Sequence, residues 1–383
     1  MNLKTILITR FPFQSQFGGE ELHTLNLAKS LQKRGFRVVF FGSDKILLEE
    51  FKKQGNRQIS IRGLPFFKPP VSKGSFLTFT ILSPIIFIYF FLSYWQINKK
   101  FKPDVIYMLS LGEKLLLTPI ILFFKKIESF AFVSLRTDKR IIWIEHARIG
   151  NWLLRNPWRI FYYFWSHFVK IICVSEQSKK SLPWCENAIV IANGIDLNEF
   201  KKIKKLEFEL QKFKIGFIGR LSDDKGCDIL IKAVKDLKNI ELLIVGKGIF
   251  EENLKNLAKD NSNIKFLGKL SRQEILDFYQ NLDLFVLPSK KHDPFGLVIA
   301  EAMAFFVPTI VTNVCGITDY LENEVNTKII PANNAESLKT AIEWYRNNPE
   351  KSLKIIEKAH KKCFEKFDLE KMVDSYEKIF LNN

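Results

Sequence analysis

Short apolar runs alternate along the chain with stretches whose apolar residues recur every three or four positions. Residues 4–9 form an apolar run, and 14–19 form a polar loop closed by glycine. Leu22, Leu25, Ala28 and Leu31 then fall at helical spacing over 20–34, and Gly35 stops the helix ahead of the β-branched and aromatic run Arg37–Gly42. After residue 212 the rhythm restarts. Strands are predicted at 214–218, 241–245, 264–266 and 284–287, with helices at 227–235, 250–259 and 271–281; the last opens on a Ser271-Arg272-Gln273-Glu274 capping box. Strand alternating with helix requires parallel sheets with crossover helices. The predicted fold class is therefore α/β, two Rossmann-like parallel-sheet domains facing across a cleft. The expected boundaries are 1–197 for an N-terminal domain, 198–212 for a Lys/Glu-rich linker and 213–365 for a C-terminal domain. Residues 366–383 are left for a terminal helix, with Met372, Tyr376, Ile379 and Phe380 apolar.

Composition narrows the class. The 383 residues are 47% hydrophobic and 26% charged, enough apolar surface for packed cores and too much charge for a polytopic membrane protein. Cys173, Cys185, Cys227, Cys315 and Cys363 are widely spaced, with no CxxC or Cys/His cluster, so neither a disulfide framework nor a zinc site is supported. Met1 leads directly into the first strand without a basic leader, so a cytoplasmic location is expected. The net charge of +17 is unevenly divided. Residues 1–200 hold 28 Lys/Arg against 14 Asp/Glu, whereas 201–383 hold 30 against 27. A Lys-rich proteome alone would not produce that asymmetry, which points to an anionic partner.

Two apolar segments sharpen that expectation. Residues 74–98 carry no charge and are long enough to span a bilayer, but Pro84 interrupts them and lysines flank both ends. They also occupy the place of a crossover helix, expected from near Ser83 to Lys99, with one face on the sheet and the other apolar. Residues 151–170 mix Trp152, Trp158 and Trp165 with Arg155, Arg159 and Lys170, a combination suited to lipid headgroups. An unusually Phe-rich core is the competing explanation. An anionic membrane surface is the predicted partner; nucleic acid is not, because the basic excess accompanies apolar runs rather than a polar groove.

Candidate chemistry lies mostly in the second half. Ile218-Gly219-Arg220-Leu221-Ser222-Asp223-Asp224-Lys225-Gly226 leaves a strand and enters a helix, placing Arg220 and Lys225 where two cations can converge on one anion. Gly219 is expected to permit the tight turn. The string is not a P-loop, and Gly246-Lys247-Gly248 is only a fragment of a dinucleotide fingerprint. The more specific string is Asp293-Pro294-Phe295-Gly296-Leu297-Val298-Ile299-Ala300-Glu301. Backbone N–H groups of Gly296, Leu297 and Val298 would stand at a helix N-terminus, suited to a phosphate oxygen. Asp293 precedes the helix and Glu301 lies more than a turn into it, so the two acids have separate duties: one at a reacting sugar, one along a nucleotide.

Taken in order, these motifs resemble the retaining, nucleotide-sugar-dependent glycosyltransferases of family 4, which have the GT-B architecture. The resemblance extends to Gly18-Gly19, Lys102-Pro103-Asp104-Val105-Ile106, His146, Val174-Ser175-Glu176 and Asn193-Gly194-Ile195-Asp196. It implies that Arg220 and Lys225 clamp the donor diphosphate, with Gly18, Gly19, Leu297 and Val298 beside the phosphates. It further implies that Asp293, Phe295, Gly296 and Leu297 bind the transferred sugar, and that Glu301, with Gly246 and Gly268, binds the nucleotide. His146, Asp293 and Glu301 are the implied catalytic residues, His146 near the anomeric carbon. No divalent metal or other cofactor is implied, and no Asp-x-Asp occurs in the sequence. Two positions depart from the family pattern: Asp293 stands where Glu is usual, and Cys315-Gly316-Ile317-Thr318-Asp319 where Gly-Gly and then Pro-Glu are common.

The expected activity is transfer of a sugar from a nucleoside-diphosphate donor to a lipid-linked glycan or cell-envelope polysaccharide precursor, by an enzyme peripheral at the cytoplasmic face of the membrane. The alternatives are a nucleotide-sugar epimerase of the same architecture and a nucleotide-binding membrane scaffold with weak catalysis.

Overall fold

The computed structural model describes residues 4–11, 18–55, 57–60, 73–130, 140–146, 157–182, 184–185, 187–200 and 212–381. The chain divides into two units, Met1–Ile191 with Val373–Asn383, and Ala192–Met372. The first unit ends six residues before the expected boundary because the intervening segment pairs within the second: Ile195 N–H donates to Phe367 O (2.8 Å) and Leu369 N–H to Ile195 O (3.0 Å). Leu197–Phe200 is a 3-10 turn, and the rest of the expected linker up to 211 lies outside the described residues, as do 14–17, 65–67 and 151–156.

In the first unit, β1 (Thr5–Arg10), β2 (Arg37–Gly42), β3 (Arg57–Ser60), β4 (Val105–Met108), β5 (Arg140–Glu145), β6 (Lys170–Cys173) and β7 (Ile189–Val190) form a parallel sheet ordered β3-β2-β1-β4-β5-β6-β7. All six residues of β1 are buried, as a strand covered on both faces requires. The helices are α1 (Gly19–Lys33), α2 (Lys45–Lys53), α3 (Lys73–Phe101), α4 (Leu111–Phe130), α5 (Trp158–Ser166) and α6 (Glu176–Lys180).

Helix α3 starts ten residues before the expected Ser83 and carries Pro84 in its interior. Proline has no N–H for the carbonyl four residues back, Thr80, but Ser83 Oγ donates to that oxygen at 2.8 Å, so the helix continues. Its Phe79, Ile86, Phe90, Tyr94, Ile97 and Phe101 are buried in one core cluster with Val39, Ile106 and Trp143 of the sheet.

The second unit repeats the plan with β8 (Phe213–Ile218), β9 (Ile240–Val245), β10 (Ile264–Gly268), β11 (Leu284–Leu287), β12 (Thr309–Thr312) and β13 (Lys328–Ile330), all parallel and ordered β10-β9-β8-β11-β12-β13. The strand order reverses direction between β8 and β11, the place where open α/β sheets bind ligands beyond their carboxyl ends. Helices α7 (Cys227–Val234), α8 (Glu251–Ala258), α9 (Arg272–Gln280), α10 (Leu297–Ala304), α11 (Ala335–Asn347) and α12 (Pro349–Lys366) cover the sheet. The capping box of α9 is formed, with Ser271 N–H donating to Glu274 Oε2 at 2.7 Å.

The last helix, α13 (Leu369–Leu381), begins in the second unit and from Val373 belongs to the first. There Arg34 Nη1 meets Asp374 (2.6 Å) and Glu377 (2.7 Å), and Arg140 Nη1 donates to Phe380 O at 2.6 Å.

Candidate active site

In the second unit, three glycines stand at the carboxyl ends of adjacent strands: Gly219 after β8, Gly246 after β9 and Gly268 ending β10. The expectation that Gly219 supplies the conformational freedom is corrected. Positive φ is taken by Gly246 (134°) and Gly268 (69°) but not by Gly219, and a Cβ on Gly246 would lie 1.9 Å from Gly219 O. Only glycine allows the two turns to approach so closely.

Beyond Gly219 the chain forms a 3-10 turn over Asp223–Lys225 and enters α7 through Gly226, whose φ is 69°. Lys225 Nζ is thereby brought to Asp293 Oδ2 at 2.5 Å, and Ser289 Oγ donates to the same oxygen at 3.3 Å. Asp293 is 6% exposed. Burial alone would push its pKa up, but the Lys225 charge, the two side-chain hydrogen bonds and the Phe295 amide hold it below the ordinary carboxylate value. Burial likewise works against the Lys225 ammonium, and Asp293 raises it in net.

The backbone beside Asp293 is fixed by the loop after β12. Asp293 N–H donates to Val314 O (3.1 Å), Gly316 N–H to Asp293 O (2.8 Å) and Ile317 N–H to Phe295 O (2.7 Å). The departure at Cys315-Gly316-Ile317 therefore changes side chains while this loop still clasps the Asp293 segment. Burial pushes the Cys315 thiol up to about 12, so it remains neutral there.

Helix α10 starts after Gly296, which takes a φ of 94° as its N-cap. Ile299 N–H donates back to Gly296 O at 2.9 Å, the amides of Leu297 and Val298 precede the first helical acceptor, and the helix dipole adds positive character at that end. Glu301, its fifth residue, is 4% exposed and anchored from α9: Arg272 Nη1 reaches Oε1 at 2.6 Å and Tyr279 OH donates to Oε2 at 3.0 Å. Glu199 shares Arg272, accepting from Nη2 at 2.5 Å. The two acids are thus held by different partners on different elements. Arg220 is exposed on the loop after β8.

Arg272 and Tyr279 were not legible as site residues. In sequence they are a capping-box member and a helix aromatic, and their tie to Glu301 spans 29 and 22 residues.

The first unit has its own polar cluster at the carboxyl ends of β1, β4 and β5. Gly18 caps α1 and its N–H donates to Glu21 Oε2 at 2.8 Å; Gly19 is the first helical residue. Arg10, ending β1, is buried against Glu20 (2.7 Å), Glu21 and Asp44 (2.9 Å). Glu113 accepts from Thr9 Oγ1, Phe11 N, Leu109 N and Ser110 N at 2.8–3.0 Å, which ties the end of β1 to the end of β4. Lys114 Nζ donates to Ile144 O (2.5 Å) and to Glu145 Oε1 (2.7 Å), and Tyr162 OH also donates to Glu145 Oε1 (2.8 Å).

His146 follows directly. Its ring meets that of His23 edge-on at 4.7 Å, and its buried Nε2 has no hydrogen-bond partner among the described residues. Burial, then the charges of His23, Arg10 and Lys114, hold it well below the ordinary histidine value, leaving a neutral imidazole.

Two family models match consecutive stretches: Glycosyltransferase Family 4 over residues 17–199 and Glycosyl transferases group 1 over 198–362. An uncharacterized glycosyltransferase of Haemophilus influenzae is 29% identical over 94% of this chain and 96% of its own. A capsular polysaccharide biosynthesis glycosyltransferase, CapM of Staphylococcus aureus, is 30% identical over 46% of this chain; that alignment spans about half of the relative, 52%. Among solved structures, Anabaena HepE in complex with UDP and glucose superposes with a TM-score of 0.72 at 20% identity, covering 98% of this chain and 99% of that one.

The two doubly wound sheets and these matches define a glycosyltransferase with the GT-B fold. Within that class the chain belongs to the glycosyltransferases of the family 4 type.

Proposed function

We propose that the enzyme transfers a sugar, with retention of configuration, from a nucleoside-diphosphate donor to a lipid-linked glycan or envelope polysaccharide precursor at the cytoplasmic face of the membrane. The observation that carries this reading is the stretch from Asp293 to Glu301: a Lys225-paired acid, a helix start and a second anchored acid follow one another within nine residues. Lys225, Arg220 and the amides of Leu297 and Val298 stabilise the charge that grows on the leaving diphosphate. Asp293 reads hydroxyls of the transferred sugar, with Phe295 and Gly296 beside it. Glu301 receives the ribose hydroxyls, and Gly246 and Gly268 leave room for the nucleoside.

The leaving phosphate takes the proton of the acceptor hydroxyl as the new glycosidic bond forms on the face it vacates. His146, a neutral imidazole whose Nε2 has no partner among the described residues, takes its catalytic role in this reading from the family resemblance. Cations and amides take the charge-stabilising role without a divalent metal, in keeping with a sequence that has no Asp-x-Asp. Support for the donor and acceptor classes comes from the UDP and glucose complex of HepE and from the capsular role of CapM.

A thermal-shift screen of nucleotide sugars identifies the donor, since a ligand of the folded state raises the melting temperature by mass action. Transfer to a glycolipid acceptor with the matching donor supports the reading. Conversion of that donor alone into a different nucleotide sugar would make the protein an epimerase, and neither reaction at a measurable rate would leave only a scaffold.

A further inference from the structure

Helix α3 has two apolar faces and only one is used. Phe79, Ile86, Phe90, Tyr94, Ile97 and Phe101 are in the core, while Leu77, Ile81, Ile85, Ile88, Leu92 and Trp95 recur at the same helical spacing on the outside and are 48–64% exposed. That outer stripe is ~27 Å long at 1.5 Å per residue. Helix α5 continues it: Trp158 packs edge-on against Phe79 at 4.8 Å and its Nε1 donates to Thr80 Oγ1 at 3.1 Å, while Ile160, Phe161, Tyr163 and Phe164 are exposed. A hollow of about 210 Å³ opens on α5, lined by Arg159, Ile160, Tyr163 and Trp184. So large an uncovered apolar surface on one domain marks an interaction site.

We propose that the outer faces of α3 and α5 form a docking surface for an anionic phospholipid leaflet, with α3 lying in the plane of the headgroups. Charge selects this occupant. No Asp or Glu occurs between residues 51 and 103; Lys99 and Lys100 lie in the last turn of α3, Lys102 follows it, and Lys125 and Lys126 lie within α4. Lys99 Nζ sits 5.8 Å from the Trp95 ring, an ammonium and an amphipathic aromatic side by side as at a headgroup boundary. A second copy of the chain would bring the same basic rim against itself about a two-fold axis, like charge on like. A spanning α3 would have to withdraw Phe79, Ile86 and Phe90 from the sheet, stripping the core of the first unit. The surface deepens the proposed work on a membrane-bound acceptor and rests on that reading for its purpose, but not for its test.

The full-length protein is sedimented with phosphatidylcholine vesicles and with vesicles containing phosphatidylglycerol, at low and high salt, beside the Ile81→Asp/Ile85→Asp/Ile88→Asp variant. The wild type is expected on the phosphatidylglycerol vesicles, weakened by salt, and the variant at least about tenfold weaker. Melting temperature and its shift by the donor nucleotide sugar should be the same in both. Equal vesicle binding by the two proteins overturns the proposal, as does a wild type that stays in the supernatant. A wild-type dimer that the variant converts to monomer, seen by light scattering, would instead assign the face to a second copy. Loss of the donor-induced shift in the wild type would count against the glycosyltransferase reading and leave the docking result standing.

Discussion

The carboxyl edges of the two sheets solve one electrostatic problem differently. In the first unit, buried charges are consumed by one another: Arg10 meets three carboxylates, Glu113 takes four donors, and Lys114 is spent on Glu145 and the Ile144 carbonyl. The Lys114 side chain is 2% exposed, whereas Lys225 in the second unit keeps 16%. A fully enclosed pair braces the backbone that carries His146. A pair open on one side can exchange partners with an incoming anion. The two carboxylates are about equally buried, so it is the exposure of the ammonium that separates these two pairs.

The largest effect expected from breaking this contrast is on turnover. Lys225→Ala should lower kcat by about 10²–10³-fold, the usual loss for one charge-stabilising donor, with soluble and folded protein. Glu301→Gln should act in the same direction, chiefly through nucleotide affinity, because Arg272 and Tyr279 still hold the side chain. Single-turnover kinetics beside circular dichroism check both. Unchanged kcat in a folded Lys225→Ala/Glu301→Gln protein would remove the second-unit assignment.

Next in size, Lys114→Ala should cost about 3–5 kcal/mol of stability, the usual penalty for leaving a buried ion unpaired. Nucleotide affinity of the folded fraction should be unchanged. Denaturant melts with and without nucleotide separate the two quantities, and a Lys114→Ala loss confined to nucleotide binding would reverse the roles drawn here.

Gly226→Ala should cost about 1–3 kcal/mol, since φ is 69° and a Cβ would meet Pro288 O at 1.9 Å. Melting temperature reports it directly.

The smallest effect is a pH dependence in the first unit. Burial pushes Glu20 up to about 7, only partly offset by Arg10, with Glu21 and Glu113 raising it and Lys114 lowering it. The folded state therefore holds this proton more tightly than the unfolded chain, and stability falls as pH rises from about 4.5 to about 7. With the side chain still partly exposed to water, the fall should be about 1 kcal/mol. Glu20→Gln should flatten it in melts across that range.

Local pattern made much of the second unit legible. Its strands and helices fall within a few residues of the apolar periodicity, and the Ser271 capping box forms as written. Sequence set Lys225 on a strand-to-helix loop and Asp293 and Glu301 eight residues apart around a helix start, but carried no sign that Lys225 meets Asp293, 68 residues away. In the first unit the same reasoning missed the true start of α3, where a serine hydroxyl repairs what Pro84 removes.

Sequence by itself determined the α/β alternation, the charge asymmetry and the order of the candidate-site motifs, all properties of neighbours along the chain. Only the tertiary structure decided that Lys225 pairs with Asp293, that Arg272 and Tyr279 anchor Glu301, and that the outer stripe of α3 is left uncovered. Those facts depend on which strand ends lie side by side in a sheet, and pairings across 20 to 70 residues leave no periodic trace for a linear reading to find.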